Sequence, residues 1–175
     1  MHGVQRVAIM GGPGSGKSTL ARALGAGLGL PVFHMDHIHW KPDWVERAKP
    51  EKIALARDVM AREAWIFEGG FSAIQAERLA RAQVVIWLDL PYVRRMWRVL
   101  RRTAAWYGQV RPDMQTGCPE GRNPEMLEFW RFIWRTRHTS RQKVAASLDP
   151  LPGHLTLHHL HSPRQVRAFL KNVTL

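Results

Sequence analysis

The chain has 175 residues, a hydrophobic content of 45% and a net charge of +12, from 26 Lys and Arg against 14 Asp and Glu. This length suits one domain with a sizeable core. The longest clear apolar run, residues 84–88, is too short to cross a membrane, and a single cysteine, Cys118, excludes an intramolecular disulfide and a four-cysteine zinc site. Because the first strand begins almost at once, we expect no signal peptide and a cytoplasmic protein.

The apolar residues 4–10 predict a first strand, and residues 18–28 predict a helix with leucines on one face. Further strands are predicted at residues 30–34, 65–67, 84–88 and 155–159. Further helices are predicted at residues 51–63, 72–82, 91–106, 124–147 and from Ser162 onward, with a mobile loop at residues 108–124. Strands that alternate with helices are typical of an α/β fold with a parallel sheet.

Between the first strand and the first helix, residues 11–18 match the phosphate-binding pattern G-x-x-x-x-G-K-[ST] at every position. Glycines let such a loop turn its N–H groups toward phosphate oxygens, at the positive end of the following helix. We expect Lys17 to reach the β- and γ-phosphates and the Ser18 hydroxyl to ligate Mg²⁺. The predicted cofactors are thus ATP and Mg²⁺, and the predicted nucleotide-binding residues are Gly11, Gly12, Pro13, Gly14, Ser15, Gly16, Lys17, Ser18 and Thr19.

The positive charge is concentrated in residues 91–143, where twelve bases, eleven of them arginine, face four acids. Arginine suits bidentate contact with phosphate. Arg98 and Arg102 lie four residues apart on one helix face and are predicted to reach over the ATP site. Arg135 and Arg137 are candidates to close on the transferred phosphoryl group, whereas most of the other arginines are expected to be solvated surface charges.

Three acids stand at predicted strand ends. Glu68 and Asp89 both suit a magnesium ion that is also held by Ser18, directly or through water. Glu68 is the preferred ligand, since Asp89 is explained as well by a cap on the helix that opens at Pro91. Asp36 follows the second strand, at the edge where open α/β sheets bind ligands, and it either contacts the phosphoryl acceptor or caps a turn.

Several motifs resemble those of the nucleoside-monophosphate kinase family, which includes adenylate and shikimate kinases. Glu68-Gly69-Gly70-Phe71 stands where that family ends a strand with an acid and glycine, and residues 88–91 stand where its next strand leads into the lid helix. Arg98 and Arg102 have the spacing of the two arginines beside the lid's first hinge. A branch described as topology-modulation proteins is similar at residues 35–40, 111–114 and 117–120.

The resemblance implies a P-loop three-layer sandwich with a five-stranded parallel sheet of order 2-3-1-4-5 and a helical lid at about residues 103–125, all in one domain of residues 1–175. It also implies that Asp36 holds or deprotonates an acceptor hydroxyl, with the aromatic segment around Trp40 and Trp44 beside it. Two features depart from the family. Glu68 replaces the more common Asp, and the adenylate-kinase substrate signature is missing, which argues against adenosine monophosphate as the acceptor.

The predicted function is a Mg-ATP-dependent phosphotransferase that moves the γ-phosphoryl group to a small-molecule acceptor whose identity the sequence does not give. Two alternatives stay open: an ATPase switch, and an ATP-binding regulatory or nucleic-acid-binding protein that affects DNA topology. The basic excess favours the latter, but no helix-turn-helix, zinc-finger or RNA-binding signature supports it. Two histidine clusters, at residues 34–39 and 154–161, match no standard zinc spacing, and their roles stay open.

Overall fold

Five parallel strands form the central sheet of the computed structural model, which describes residues 3–121 and 126–174. Their order across the sheet is β2-β3-β1-β4-β5, which confirms the predicted order 2-3-1-4-5. The strands are β1 (Arg6–Gly11), β2 (Val32–His34), β3 (Trp65–Glu68), β4 (Val84–Leu88) and β5 (Thr156–Leu160). A separate antiparallel hairpin pairs Trp40–Lys41 with Val45–Glu46.

Eight α-helices are found in the described parts of the chain: α1 (Lys17–Leu28), α2 (Met35–His39), α3 (Lys49–Ala61), α4 (Gln75–Arg81), α5 (Tyr92–Ala105), α6 (Met126–Arg135), α7 (Thr139–Ser147) and α8 (Pro163–Thr174). Two 3-10 turns, Pro42–Trp44 and Ser72–Ile74, complete the set. None of these helices, in the residues described, is both long enough and apolar enough for a membrane crossing.

The helix predicted at residues 124–147 is wrong in one respect, because α6 and α7 are separate helices with a turn at residues 136–138 between them. Two hydroxyl side chains form hydrogen bonds to backbone carbonyls at this break. Thr136 donates its side-chain hydrogen bond to the Phe132 carbonyl at 2.7 Å, and Ser140 donates to the Thr136 carbonyl at 2.6 Å. Such bonds compete with the regular helical ladder. The predicted start of this helix, at residues 124–125, lies outside the described residues.

The sheet is buried on both faces. Along β1, Val7 and Ile9 point to the layer that contains α1 and α8, whereas Ala8 and Met10 point to the opposite layer. All five residues of β4 are buried. Because side chains alternate along a strand, two apolar sets give two cores, and each large apolar side chain contributes about 1.5–3 kcal/mol by leaving water. The result is the predicted three-layer α/β sandwich.

The segment between α5 and residue 121 is irregular, as expected, but it is tied by buried ion pairs. Arg111 Nε lies 2.6 Å from Glu120 Oε2, and Arg111 Nη1 lies 2.9 Å from Asp113 Oδ2. Thr103 on α5 donates to Glu120 at 2.9 Å. This lid loop, residues 106–121, covers most of the predicted lid; residues 122–125 lie outside the described part. Its mobility stays a prediction.

Candidate active site

The turn between β1 and α1 has a backbone that glycine permits. Gly11, Gly14 and Gly16 all have positive φ, at 147°, 75° and 96°. A Cβ on Gly14 would lie 2.2 Å from the Arg95 carbonyl oxygen, so α5 packs directly on the loop. The predicted phosphate-binding loop is therefore shaped by close backbone approach and by left-handed φ values at the same positions.

Two side chains at the start of α1 face this turn. Lys17 Nζ donates to the Gly12 carbonyl at 3.3 Å, and Ser18 Oγ donates to Glu68 Oε1 at 3.0 Å. Gly16, the N-cap of α1, has no side chain that could cap the helix. The first-turn N–H groups thus face the loop, which is the arrangement in which helix N-termini bind phosphate.

Glu68 is held at the carboxyl end of β3 by its neighbours in the sheet. The register pairs Glu68 with His34 of β2 and with Ile9 of β1, so all three strands end beside the loop. His34 Nδ1 lies 2.7 Å from Glu68 Oε1, and both side chains are buried. Burial alone would raise the pKa of the Glu68 carboxyl, but the hydrogen bond with His34 and the charge of Lys17 outweigh burial and lower it. Glu68 is therefore an anion at neutral pH.

A close packing contact brings Asp36 to the same edge. Gly69 has a φ of 112°, and a Cβ there would lie 2.5 Å from the Met35 Cβ, so α2 can begin directly against the end of β3. Arg78, fully buried, donates to the Gly69 carbonyl at 2.6 Å and fixes this turn. The short helix α2 was missed by the sequence, which predicted an irregular segment here.

Asp36 is solvent-accessible at the surface of this crowded cleft. The protein packed around the Asp36 carboxyl displaces water and raises its pKa, and the negative charge of Glu68 raises it further. The charges of Lys17 and Arg111 oppose this shift. The pKa values of Asp36 and Glu68 thus move in opposite directions. Paired carboxyls whose environments separate their pKa values are typical of sites that divide ionic and proton-transfer roles.

The lid loop adds charges that sequence reasoning left out of the site. Burial raises the pKa of the Asp113 carboxyl, but the charge of Arg111 and the nearby Ser18 hydroxyl outweigh burial and lower the pKa. Arg22 Nη1 lies 3.4 Å from Asp113 Oδ1. In the sequence, residues 111–114 stand out only through the resemblance, and no spacing rule connects them with Ser18.

Three of the four arginines predicted for the site have different surroundings. Arg98 Nη1 donates to the Ser15 carbonyl at 3.3 Å and so touches the loop. Arg102 Nη2 lies 3.4 Å from Glu120 Oε1, a carboxylate that also contacts Arg111. The charge of Arg102 acts to lower the pKa of Asp36. Arg135 is exposed on the last turn of α6, and its part in the site stays a prediction.

Asp89 does not cap α5, contrary to the sequence interpretation. The N-cap position of α5 is Pro91, and it carries no side-chain cap bond. The Asp89 carboxylate instead contacts Arg141 Nε at 2.8 Å and His159 Nε2 at 3.1 Å. These contacts are thus with a residue of β5 and a residue of α7.

The aromatic segment forms a bridge to the lid loop. Trp40 and Trp44 meet edge to face, with ring centroids 5.4 Å apart, and Trp44 Nε1 donates to the Pro119 carbonyl at 3.1 Å. Cys118 Sγ lies 3.2 Å from the Lys41 carbonyl oxygen. The segment that the sequence placed beside the acceptor is therefore attached to residues 117–119.

The oxygen donors around Ser18 fit a magnesium ion. The Ser18 hydroxyl donates to the Glu68 carboxylate, and the Asp113 carboxylate lies close to the same hydroxyl. Magnesium is a hard cation that takes one or two carboxylates, phosphate oxygens and waters. The residues present thus suit the ion that the loop motif implies.

No family model matches the chain, and no curated protein matches it. Solved structures do. The chain is similar to a shikimate kinase from Bacteroides thetaiotaomicron, with 16% identity, a TM-score of 0.56 and coverage of 97% of this chain and 96% of that chain. It is also similar to a gluconokinase from Sinorhizobium meliloti, with 15% identity, a TM-score of 0.53 and coverage of 97% and 93%.

A protein of Chloroflexus aurantiacus with a provisional kinase assignment matches at 20% identity and a TM-score of 0.53, with coverage of 97% of this chain and 96% of that chain. The chain therefore has the α/β fold of small-molecule P-loop kinases. At these identities the likeness shows the fold alone, and it does not single out the topology-modulation branch, which stays a prediction.

Proposed function

We propose that the protein is a Mg-ATP-dependent phosphotransferase that transfers the γ-phosphoryl group to a hydroxyl of a small molecule. One observation carries the proposal: Lys17, Glu68 and Asp36 share one sheet edge, with the pKa of Glu68 lowered and that of Asp36 raised. The fold likeness to kinases supports the reaction class.

In this proposal the triphosphate lies on the N–H groups of residues 11–18, and Lys17 leaves the Gly12 carbonyl to bind the β- and γ-phosphates. Arg98 extends from the loop to an open groove of roughly 460 Å³ along α5. The groove is lined by Trp97, Arg98, Arg101, Arg102, Ala105 and Trp106. We place the base end of ATP on this side, where a guanidinium or an indole can stack on it.

Ser18 and Glu68 would hold the magnesium ion, which supplies neutralisation of phosphate charge. Glu68 is kept ionised and oriented by His34, whose ring nitrogen contacts the same Oε1 that Ser18 contacts. His34 is therefore a positioning residue, because it acts through Glu68 and has no part of its own in phosphoryl transfer.

Asp36 would accept the proton of the acceptor hydroxyl as that oxygen attacks the γ-phosphorus and the β–γ bridging oxygen departs with ADP. A raised pKa makes the ionised carboxylate a stronger base. Trp40, through its ring contact with Trp44, and the lid loop that Trp44 contacts would form the outer wall of the acceptor site. A cytoplasmic location remains part of the proposal.

Labelled ATP with magnesium and a panel of nucleotides, nucleosides and small alcohols tests the function. We expect a labelled product, and Asp36→Asn should reduce its formation about 10²–10⁴-fold, the usual contribution of a general base. The matched control is Asp58→Asn, an exposed acid on α3. Release of ADP without any labelled product would instead indicate an ATPase switch.

A nucleic-acid-binding role has one specific observation in its favour. Two exposed tryptophans each have an arginine guanidinium above the ring. Arg101 lies 5.3 Å from the ring centroid of Trp97, and Arg137 lies 4.1 Å from the ring centroid of Trp134. Bases stack on such pairs, and basic surfaces bind nucleic acid with steep salt dependence. Retention of a single-stranded oligonucleotide that falls with salt and with Trp97→Ala would support this second candidate; retention unaffected by the substitution would remove it.

A further inference from the structure

Asp89, His159 and His161 form a cluster at the ends of β4 and β5. Each offers one ligand atom, and these atoms all lie within 4.8 Å of one another. We propose that this cluster is a binding site for a zinc-class transition-metal ion, separate from the magnesium site at Ser18 and Glu68. The proposal is independent of the phosphotransfer reaction.

The sheet register builds the cluster. The Asp89 N–H donates to the Leu160 carbonyl at 2.9 Å, which places its carboxylate between residues 159 and 161 of the neighbouring strand. Side chains two residues apart on an extended chain point to the same side, so His159 and His161 converge on it. Spacing within the sequence does not reveal this cluster, because its third member, Asp89, comes from the end of a different strand.

The distances suit a tetrahedral ion. Asp89 Oδ2 lies 3.1 Å from His159 Nε2 and 3.6 Å from His161 Nδ1. Zinc bonds of about 2.0–2.1 Å to nitrogen and oxygen put neighbouring tetrahedral ligands about 3.3–3.4 Å apart, close to both of these distances, and the two histidine nitrogens lie within 4.8 Å of each other. Two imidazoles and one carboxylate favour zinc-class ions over magnesium, which prefers oxygen ligands.

The surroundings hold the ligands while leaving the site open. The buried Trp87 ring stacks on His159, with centroids 3.9 Å apart and planes within 6°, and this fixes the imidazole. The Asp89 side chain is 11% exposed and His161 is 50% exposed, so an ion can approach from the His161 side. Three protein ligands leave a fourth position for water or another ligand.

Arg141 competes with the ion. Its Nε lies 2.8 Å from Asp89 Oδ2, but its side chain is 64% exposed and can move away. A carboxylate has two oxygens, so Arg141 can also keep one while the ion takes the other. Removing this competitor should therefore strengthen metal binding, a result that a merely structural ion pair would not give.

The test is calorimetric titration of Zn²⁺ into chelator-treated protein from which any affinity tag has been removed. We expect one site per chain, weakened more than about 100-fold in His159→Gln and His161→Gln, beyond the 10–100-fold that outer-shell changes cost. His138→Gln, an exposed histidine at the start of α7, is the control and should leave the affinity unchanged. Arg141→Gln should tighten binding about three- to tenfold, since a charge-assisted hydrogen bond no longer competes.

Folding of each variant is checked by circular dichroism. A second measurement needs no variant: Co²⁺ added to the wild-type protein should give the intense visible absorption of tetrahedral coordination, with quenching of part of the tryptophan fluorescence, because Trp87 stacks on His159. Absence of a stoichiometric Zn²⁺ site in the wild type would overturn the proposal. So would an affinity that is the same in the His159, His161 and wild-type proteins, or an octahedral Co²⁺ spectrum.

Discussion

One oxygen of Glu68 contacts both the phosphate-binding loop and the neighbouring strand: Oε1 accepts from Ser18 Oγ at 3.0 Å and lies 2.7 Å from His34 Nδ1. Because Glu68 is ionised, His34 must donate through Nδ1. This contact makes β2, β3 and the start of α1 a single rigid unit around the loop. The proposed metal ligand is thus positioned before any nucleotide binds.

Replacing Glu68 with Gln should raise the Mg²⁺ concentration required for half-maximal phosphotransfer by at least about tenfold, because a neutral amide is a poorer ligand for a hard cation. Initial rates across a magnesium series at saturating ATP measure this. Glu63→Gln, an exposed acid after α3, serves as the control. A magnesium requirement equal to that of the wild type would remove Glu68 from the metal site.

Acid should abolish the proposed phosphotransfer activity through Asp36. The pKa of this carboxyl is raised above its ordinary value of 3.8, mainly by its crowded surroundings and then by Glu68, so it takes up a proton first as pH falls. Glu68, whose pKa is lowered, is still ionised at that point. A profile of kcat/KM against pH should show an acid limb centred above 3.8, with circular dichroism confirming a folded protein; a limb centred lower would contradict the assignment.

The ionised Asp36 carboxylate should also lower the stability of the folded protein. A carboxyl whose pKa is raised by folding favours the folded state below that pKa and loses this contribution as pH rises through it. Above its raised pKa the ionised Asp36 therefore opposes folding, and Asp36→Asn should raise the melting temperature there while activity falls. Thermal unfolding at neutral and acidic pH measures the effect, which should shrink toward acid. A lower melting temperature at neutral pH would show that Asp36 is a structural carboxylate.

Gly69 and Gly70 offer a matched pair for testing how α2 reaches the site. Gly69→Ala places a Cβ 2.5 Å from that of Met35 at a φ of 112°, whereas nothing lies within 4 Å of the equivalent position at Gly70. Strained backbone of this kind costs about 1–3 kcal/mol, or roughly 2–12 °C in melting temperature at this chain length. Gly70→Ala should unfold close to the wild type. Equal melting temperatures for the two variants would mean that Met35 does not pack as described.

The lid loop should depend on Glu120. This buried carboxylate contacts Arg111 and Thr103, and removing one partner of a buried ion pair typically costs about 3–5 kcal/mol. Glu120→Gln should therefore speed chymotrypsin cleavage within residues 106–121, at Trp106 or Tyr107. Glu128→Gln, in an exposed pair with Arg131, should have little effect, because exposed pairs contribute about 0–1 kcal/mol. Unchanged cleavage in Glu120→Gln would show that the network does not hold the loop.

The sequence predicted the parts of this molecule that depend on local pattern. The loop at residues 11–18, the five strands and the order of the sheet follow from glycine spacing, apolar runs and resemblance, and the structure confirms the sheet order. Contacts between distant segments were not predictable in this way. The approach of Asp113 to Ser18 joins residues nearly a hundred positions apart, and the placing of Asp89 between His159 and His161 depends on strand register.

Calorimetric titration of ATP with magnesium into the wild-type protein and Lys17→Met tests the central claim most directly. The account predicts one ATP per wild-type chain and an affinity at least about tenfold lower in the variant, because a charge-assisted hydrogen bond to phosphate is lost. Failure of the wild-type protein to bind ATP in the presence of magnesium, or equal affinity in the two proteins, would contradict the proposal that residues 11–18 hold a triphosphate.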